Sequence, residues 1–222
     1  YLIVLLTPLS KGGAPMRVAG RDLVDPFSSF WNQFKADIPI SRTHIGTGHS
    51  SVFGAQGLDL SAPDTPAWVS LPNDDLAYHV AHELTHIAMR QQGFPYTGRG
   101  SRYPVESAEA RIGSDIEEMV LHPALEELLR PFGFQRSFIQ TELVHAALEG
   151  LTNSPIPRQG TPWFFNWAIR YCEIRLELSV VEWSKLEIVY EARTPAICEL
   201  CMELFAIMSE VGSGTPSRQS AQ

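Results

Sequence analysis

The sequence predicts an α+β fold, and three features of the chain indicate it. The run at 1–6 and the short apolar pieces between 42 and 72 have the length of strands and are bordered by Thr, Pro, Gly and Ser. A segment from about 74 to 92 carries helix start and stop signals. Apolar residues at helical spacing then continue from 105 to 211. We therefore expect a short mixed sheet with one central helix, followed by an extended helical C-terminal part.

Composition and charge exclude several function classes. The chain has 222 residues, with 17 Lys and Arg against 25 Asp and Glu, so its formal net charge is −8. This balance argues against a nucleic-acid partner, which needs an extended basic surface. No apolar run approaches the roughly 18 residues of a membrane-spanning helix, so we expect no membrane partner. Three cysteines are too few for the disulfide framework of a secreted mini-protein, and we predict a cytoplasmic location.

The domain organisation is predicted from composition along the chain. We expect a single domain over 1–211, made of a core at 1–133 and a helical extension at 134–211. The Gly- and Ser-rich tail at 212–222 is predicted to be disordered. The chain begins with Tyr rather than Met, which suggests a domain of a larger regulated protein. The run at 1–6 is either a buried strand or the end of a signal peptide, and its Ile, Val and Leu content favours the strand.

The first predicted helix runs from Asp25 to Asp37. Pro26 suits the first helical position, and four aromatic residues follow at helical spacing. From 42 to 72 the composition changes to Gly, Ser, Thr, Asp and Pro around short apolar pieces. That pattern predicts two or three short strands separated by turns.

The next helix is predicted to run from about Asp74 to Gln92, because residues 73–75 supply a capping side chain and negative charge at its start. It should end at Gly93, which suits the left-handed turn after a helix. A further helix at 105–122 is expected to be interrupted by Pro123, because the residue before proline is biased away from helical geometry. Other helices are predicted at 123–131, 136–150, 162–190 and 193–211.

The motif that carries chemistry is His82-Glu83-Leu84-Thr85-His86. On a helix, positions i and i+4 lie on one face, so His82 and His86 can offer two imidazole nitrogens to one ion. Zinc takes such ligands at about 2.0–2.1 Å and needs a third protein ligand. We therefore predict Zn²⁺ as the cofactor, with His82 and His86 as metal ligands and Glu83 as the general base.

At these residues the chain resembles the zincin metalloproteases, whose HExxH signature it matches completely. The resemblance implies a zincin-like core at 1–133 and peptide-bond hydrolysis by a metal-activated water. The metzincin branch is excluded because Met89 and Gln92 stand where its extended pattern needs Gly and His. Peptide deformylases add an upstream Cys ligand, and the first Cys here is Cys172. The gluzincin-like branch remains, in which a downstream acidic residue completes the site.

The third ligand is predicted from one helix face. With Glu118 set at 0°, His122 lies at about 40° and Asp115 at about 60°, along the border of the apolar face. We predict Glu118 as the third metal ligand and His122 as a catalytic residue, acting as an oxyanion donor, a partner of a ligand or a ligand itself. Asp115 could instead accept a hydrogen bond from a ligating imidazole. Glu106 has thermolysin-like spacing, but Ala110 stands where an Asp would follow.

The motif and its resemblance to zincins predict a zinc metallopeptidase that acts on a protein or peptide substrate. The resemblance also implies that the substrate binds as an added strand, and 67–71 is the candidate strand for it. Two alternatives stay open: a non-proteolytic zinc amidohydrolase and a catalytically silent zincin-fold regulatory module. Glu83 argues against the silent module, which would not need a general base. His79 is more simply a packed helix-start residue, and Cys198 with Cys201 are predicted to be core cysteines rather than a redox pair.

Overall fold

Helices form most of the part of the protein that a computed structural model describes. The described residues are 16–18, 21–37, 42–44, 50–54, 57–59, 72–97, 102–104 and 107–211. Helices occupy nearly all of them from residue 73 onward, whereas the strands span only three to five residues each. The prediction of an α+β fold with a zincin-like core built on a short mixed sheet is therefore wrong, whereas the helix predicted at about 74–92 is present. Two or three short strands were expected between 42 and 72, and three are present, at Arg42–His44, Ser50–Gly54 and Gly57–Asp59. Composition predicted these strands but says little about how large a sheet they form.

The described strands form small antiparallel pairs. Their bounds are Met16–Val18 (β1), Arg21–Leu23 (β2), Arg42–His44 (β3), Ser50–Gly54 (β4) and Gly57–Asp59 (β5). β1 pairs with β2, and β4 lies between β3 and β5. Two predicted strands, at 1–6 and at 67–71, lie outside the described residues. The proposed substrate strand at 67–71 therefore stays a prediction.

Seven α-helices and one 3-10 turn are described. The helices are Phe27–Phe34 (α1), Asn73–Gln91 (α2), Ala108–Leu129 (α3), Ser137–Asn153 (α4), Pro162–Glu177 (α5), Val180–Arg193 (α6) and Pro195–Val211 (α7). The 3-10 turn, Arg130–Phe132, follows α3 directly. Among the described residues, no helix is both long and apolar enough to span a bilayer.

Helix α3 continues through Pro123, so the predicted interruption is wrong. A proline inside a helix lacks the N–H donor and costs about 3 kcal/mol. Leu121, Leu125 and Leu129 are buried in the same part of the helix. Burying one such side chain contributes about 1.5–3 kcal/mol, so three leucines offset the cost of the proline.

The predicted helix at 162–190 is two helices. α5 ends where Leu178 is extended, and Ser179 begins α6 with a capping box. The Ser179 side chain accepts from the backbone N–H of Glu182, and the Glu182 carboxylate accepts from the backbone N–H of Ser179. These bonds satisfy N–H groups that a continuous helix would have paired internally. The apolar spacing continues across the break, which is why periodicity alone predicted a single helix.

The chain divides into two compact units. The first contains the described residues of 1–92 together with 127–136, and the second those of 93–126 and 137–222. The single-domain organisation over 1–211 stays a prediction, and the tail at 212–222 lies outside the described residues.

The core of the first unit joins α1 to α2. Phe27, Phe30 and Phe34 are the buried aromatic residues of α1. The ring of Phe30 stacks on Phe34 with centroids 5.1 Å apart and meets Phe134 edge-on at 6.1 Å. Asp25 stabilises the start of α1, because its carboxylate accepts from the backbone N–H of Ser29 at 3.0 Å. Eight apolar residues of α2 are also buried: Leu76, Ala77, Tyr78, Val80, Ala81, Leu84, Ala88 and Met89.

The core of the second unit is built mainly by α5, α6 and α7, with buried residues from α3 and α4. Tyr171 packs edge-on against both Trp183 and Tyr190, with centroids 4.8 Å apart in each case. Cys172 and Cys201 are fully buried, and the Cys201 thiol donates to the carbonyl of Ala168 at 3.0 Å. The three cysteines of the chain are free thiols. Cys201 is thus a core residue, as predicted, while Cys198 is half-buried.

Candidate metal centre

Helix α2 forms where the sequence predicts it and presents the HExxH residues at helical spacing. Asp74 and Asp75 lie in its first turn and Arg90 in its last, as the helix dipole favours. Gly93 follows the helix with a φ of 84°, a conformation that glycine adopts without strain. The capping side chain expected at the helix start is not observed, because Pro72 occupies the N-cap position and makes no side-chain cap hydrogen bond. The acidic first turn and Gly93 are the local signals that the structure bears out.

The buried face of α2 sets the direction of the motif. Leu84, Ala88 and Met89 are fully buried, and the Thr85 hydroxyl donates to the carbonyl of Ala81 at 2.7 Å. The remaining motif residues, His82, Glu83 and His86, are half-buried. They lie at the border between the packed core and the surface, where a polar side chain can keep an accessible atom.

His82 and His86 lie side by side on this border. Their ring centroids are 5.0 Å apart and their planes are inclined at 72°. One turn earlier, the hydroxyl of Tyr78 lies 3.5 Å from Nδ1 of His82, and the two ring centroids are 5.8 Å apart. Tyr78, His82 and His86 thus form one stripe at i, i+4 and i+8 along the helix.

His122 of α3 completes a group of three imidazoles. One nitrogen from each of His82, His86 and His122 lies within 4.8 Å of the other two. All three residues are half-buried. Zinc–nitrogen bonds of about 2.0–2.1 Å in a tetrahedral site place two nitrogens roughly 3.3 Å apart. The three nitrogens are donors of the type that zinc takes, and the donor set is compatible with Zn²⁺ if the imidazoles move closer together than 4.8 Å.

The electrostatics of His82 favour its neutral form. Burial lowers the pKa of His82 well below 6.5, and the neighbouring His86, His79 and Arg136 lower it further. A neutral imidazole keeps the lone pair that binds a metal, whereas a protonated one does not. The lowered pKa therefore favours the neutral form of His82, the form that can bind a metal.

The predicted third ligand, Glu118, is not in this group. Glu118 is exposed on α3, while His122, one turn further along, joins the two imidazoles of α2. Asp115 accepts a hydrogen bond from the side-chain amide of Asn166, and burial raises its pKa. Glu106 lies outside the described residues. Of the four candidates for the third ligand, the structure brings His122 to the HExxH pair.

Two neighbours of the site were missed by sequence reasoning. Tyr78 precedes His82 by four residues, so the i, i+4 rule that identified His86 could also have identified it. Arg136 lies with its guanidinium 5.6 Å from the centroid of the Tyr78 ring. No local signal links residue 136 to residue 78, since this contact depends on how the chain returns after α3.

The chain was compared with protein-family models, with curated proteins and with solved structures. None of the three comparisons found a match. The likeness to zincins therefore consists of the HExxH motif.

Proposed function

We propose that this protein is a zinc-dependent hydrolase that cleaves peptide bonds. In this proposal His82, His86 and His122 hold the ion, and Glu83 is the general base. The observation that carries it is the grouping of three imidazole nitrogens within 4.8 Å of one another, two of them from an HExxH helix.

The choice of metal and of ligands follows from the donors. Three neutral imidazoles are a known ligand set for catalytic zinc, and they leave one position of a tetrahedral site open. Nitrogen donors argue against calcium and magnesium, which prefer oxygen. His122 replaces Glu118 as the third ligand in this proposal, because His122 lies with the pair. Its earlier alternative role, as an oxyanion donor, is set aside for the same reason.

Glu83 supplies the proton transfers. When bound, Zn²⁺ supplies Lewis acidity, which lowers the pKa of water and polarises a carbonyl group. Glu83 follows His82 directly, so its side chain emerges about 100° around the helix from that ligand. It is half-buried, which leaves the carboxylate within reach of solvent. Glu83 accepts a proton from the attacking water and passes it to the leaving nitrogen of the substrate.

A peptide substrate is proposed from the resemblance of the motif to zincins. The chemistry of the site requires only a carbonyl that can be polarised, so a small amide is the alternative substrate class. A fluorescence-quenched peptide library and a set of small amides therefore belong in the same assay. Turnover of the amides alone would replace the peptidase by an amidohydrolase.

Metal content tests the site itself. We expect about one zinc per chain in the purified protein after zinc loading and dialysis, measured by elemental analysis. His82→Ala, His86→Ala and His122→Ala should each lose most of that zinc. Glu118→Gln is the matched control from the same helix as His122 and should keep it. Loss of zinc in Glu118→Gln with retention in His122→Ala would overturn the three-histidine site.

A second variant tests the general base. Glu83→Gln should keep the zinc but lose hydrolysis by a factor of about 10²–10⁴, the usual contribution of acid–base catalysis. If this variant cleaved its substrate as fast as the parent protein, Glu83 would not be the base. If the zinc-loaded parent protein cleaved neither peptides nor small amides, the hydrolase proposal would fail even with the metal site intact.

A further inference from the structure

The phenol of Tyr78 is held in a fixed place beside His82. Its side chain is buried, with only 3% of the residue exposed. The ring of Phe134 meets it edge-on with centroids 6.2 Å apart, and the Arg136 guanidinium lies 5.6 Å from its centroid. Its hydroxyl lies at hydrogen-bonding distance, 3.5 Å, from Nδ1 of His82. The phenol thus has apolar and cationic neighbours around its ring and an imidazole at its polar end.

We propose that Tyr78 is a positioning residue for the metal centre. Its hydroxyl bonds to Nδ1 of His82, so that Nε2 is the nitrogen offered to the ion. The inference rests on the proposed function, because it concerns the same site. It assigns a role to a residue outside the HExxH motif.

The physical reason lies in the two nitrogens of imidazole. Only one of them can bind the ion, and the other then carries a proton that needs an acceptor. The oxygen of the Tyr78 hydroxyl is such an acceptor at Nδ1. A partner of this kind fixes the ring orientation and the tautomer of a ligating histidine, and its loss typically costs 10- to 100-fold in metal affinity.

The rigidity of Tyr78 comes from the core of the first unit. Phe134 contacts both Tyr78 and Phe30, so the phenol is joined to the packed aromatic side chains of α1. Arg136 lies within the distance at which a cation is attracted to an aromatic ring. Because the ring is already fixed, metal binding does not carry the entropy cost of ordering the Tyr78 hydroxyl. This preorganisation favours metal binding.

The test compares zinc affinity in two tyrosine variants. Tyr78→Phe removes the hydroxyl and keeps the ring, and Tyr190→Phe makes the same change at a buried tyrosine of the second unit. Zinc dissociation constants are measured by competition with a chromophoric chelator. We expect Tyr78→Phe to bind Zn²⁺ about 10- to 100-fold more weakly than the parent protein and Tyr190→Phe to bind it within about twofold. Equal affinity of Tyr78→Phe and the parent protein would overturn the inference.

Spectroscopy separates positioning from a general loss of stability. The visible absorption of the Co²⁺-substituted protein should change in Tyr78→Phe and stay unchanged in Tyr190→Phe, because it reports ligand geometry.

Nitrogen-15 shifts of His82 in the zinc-loaded parent protein should identify Nε2 as the metal-bound atom and Nδ1 as the protonated one. This measurement needs no variant, so it holds even if Tyr78→Phe does not fold. Metal binding through Nδ1 would refute the role of Tyr78 and leave the proposed function intact. Absence of zinc binding in the parent protein would refute both.

Discussion

The imidazole planes of His82 and His86 are inclined at 72°, with centroids 5.0 Å apart. This arrangement depends on the rotation of α2 about its own axis, since both rings project from one helix. Leu84 lies between them in sequence and is fully buried. Any rotation of α2 that moved the imidazoles would therefore expose Leu84 to water. Burial of the apolar face thus fixes the direction of the polar stripe.

Leu84→Ala should destabilise the protein by about 2–5 kcal/mol, because it removes a fully buried side chain and leaves a cavity. The free energy of unfolding is measured by denaturant titration followed by circular dichroism. Leu176→Ala is the control, since 44% of Leu176 is exposed. The control should lose less than about 1 kcal/mol. Similar losses in both variants would contradict the view that Leu84 anchors α2.

Glu117 should protect the backbone amide of Thr97 from hydrogen exchange. Its carboxylate accepts from the Thr97 backbone N–H at 2.6 Å and from the Thr97 hydroxyl at 2.8 Å. Glu117→Ala removes both acceptors, and we expect exchange at Thr97 to become roughly tenfold faster, corresponding to about 1.4 kcal/mol for bonds at the surface. Glu109→Ala, an exposed carboxylate of the same helix, should leave that rate unchanged. An unchanged rate in Glu117→Ala would show that these bonds do not hold the segment after α2.

The HExxH helix could be predicted from the sequence because its determinants are local. Asp74 and Gly93 mark its two ends, and the spacing of His82 and His86 puts them on one face whatever surrounds the helix. Tyr78 could have been found by the same spacing. These features need no knowledge of tertiary structure.

The third ligand could not be predicted in the same way. Glu118 and His122 are only about 40° apart around α3, so both lie on the same side of that helix. The two residues are separated by one helical turn, about 5.4 Å along the axis of α3. Tertiary packing decides which of the two turns lies level with His82 and His86, and the sequence does not show this. The α+β prediction failed for a related reason, since pairing with other segments decides how far a short apolar piece extends as a strand.

The break between α5 and α6 had a local signal that periodicity obscured. Ser179 followed three residues later by Glu182 is the pattern of a capping box. We expect Ser179→Ala to lower the free energy of unfolding by about 1 kcal/mol, as loss of an N-cap usually does. Thermal unfolding followed by circular dichroism measures the change. Ser184→Ala, within α6, is the control and should have a smaller effect. A larger loss in Ser184→Ala would mean that the capping box does not determine where α6 begins.

Glu173 should make the stability of the protein decrease as pH rises. Its side chain is only 8% exposed, and the guanidinium of Arg170 lies 3.0 Å away. Burial raises the pKa of Glu173 above 4.5, against the lowering effect of Arg170. Because the folded protein holds this proton more tightly than the unfolded chain does, the stabilisation is complete below pH 4.5. It is lost as pH rises through the pKa of the folded state.

Glu173→Gln removes this titration while keeping the size of the side chain and an acceptor for Arg170. The variant should therefore gain stability relative to the parent protein as pH is raised from about 4.5 to 7, in urea titrations at several pH values. Glu199→Gln removes one exposed carboxylate of this acidic chain and controls for the change in net charge. A stability difference between Glu173→Gln and the parent protein that stays constant with pH would mean that Arg170 compensates the burial of the carboxylate. The pair of buried Glu173 and exposed Arg170 would then stabilise α5 with both partners charged.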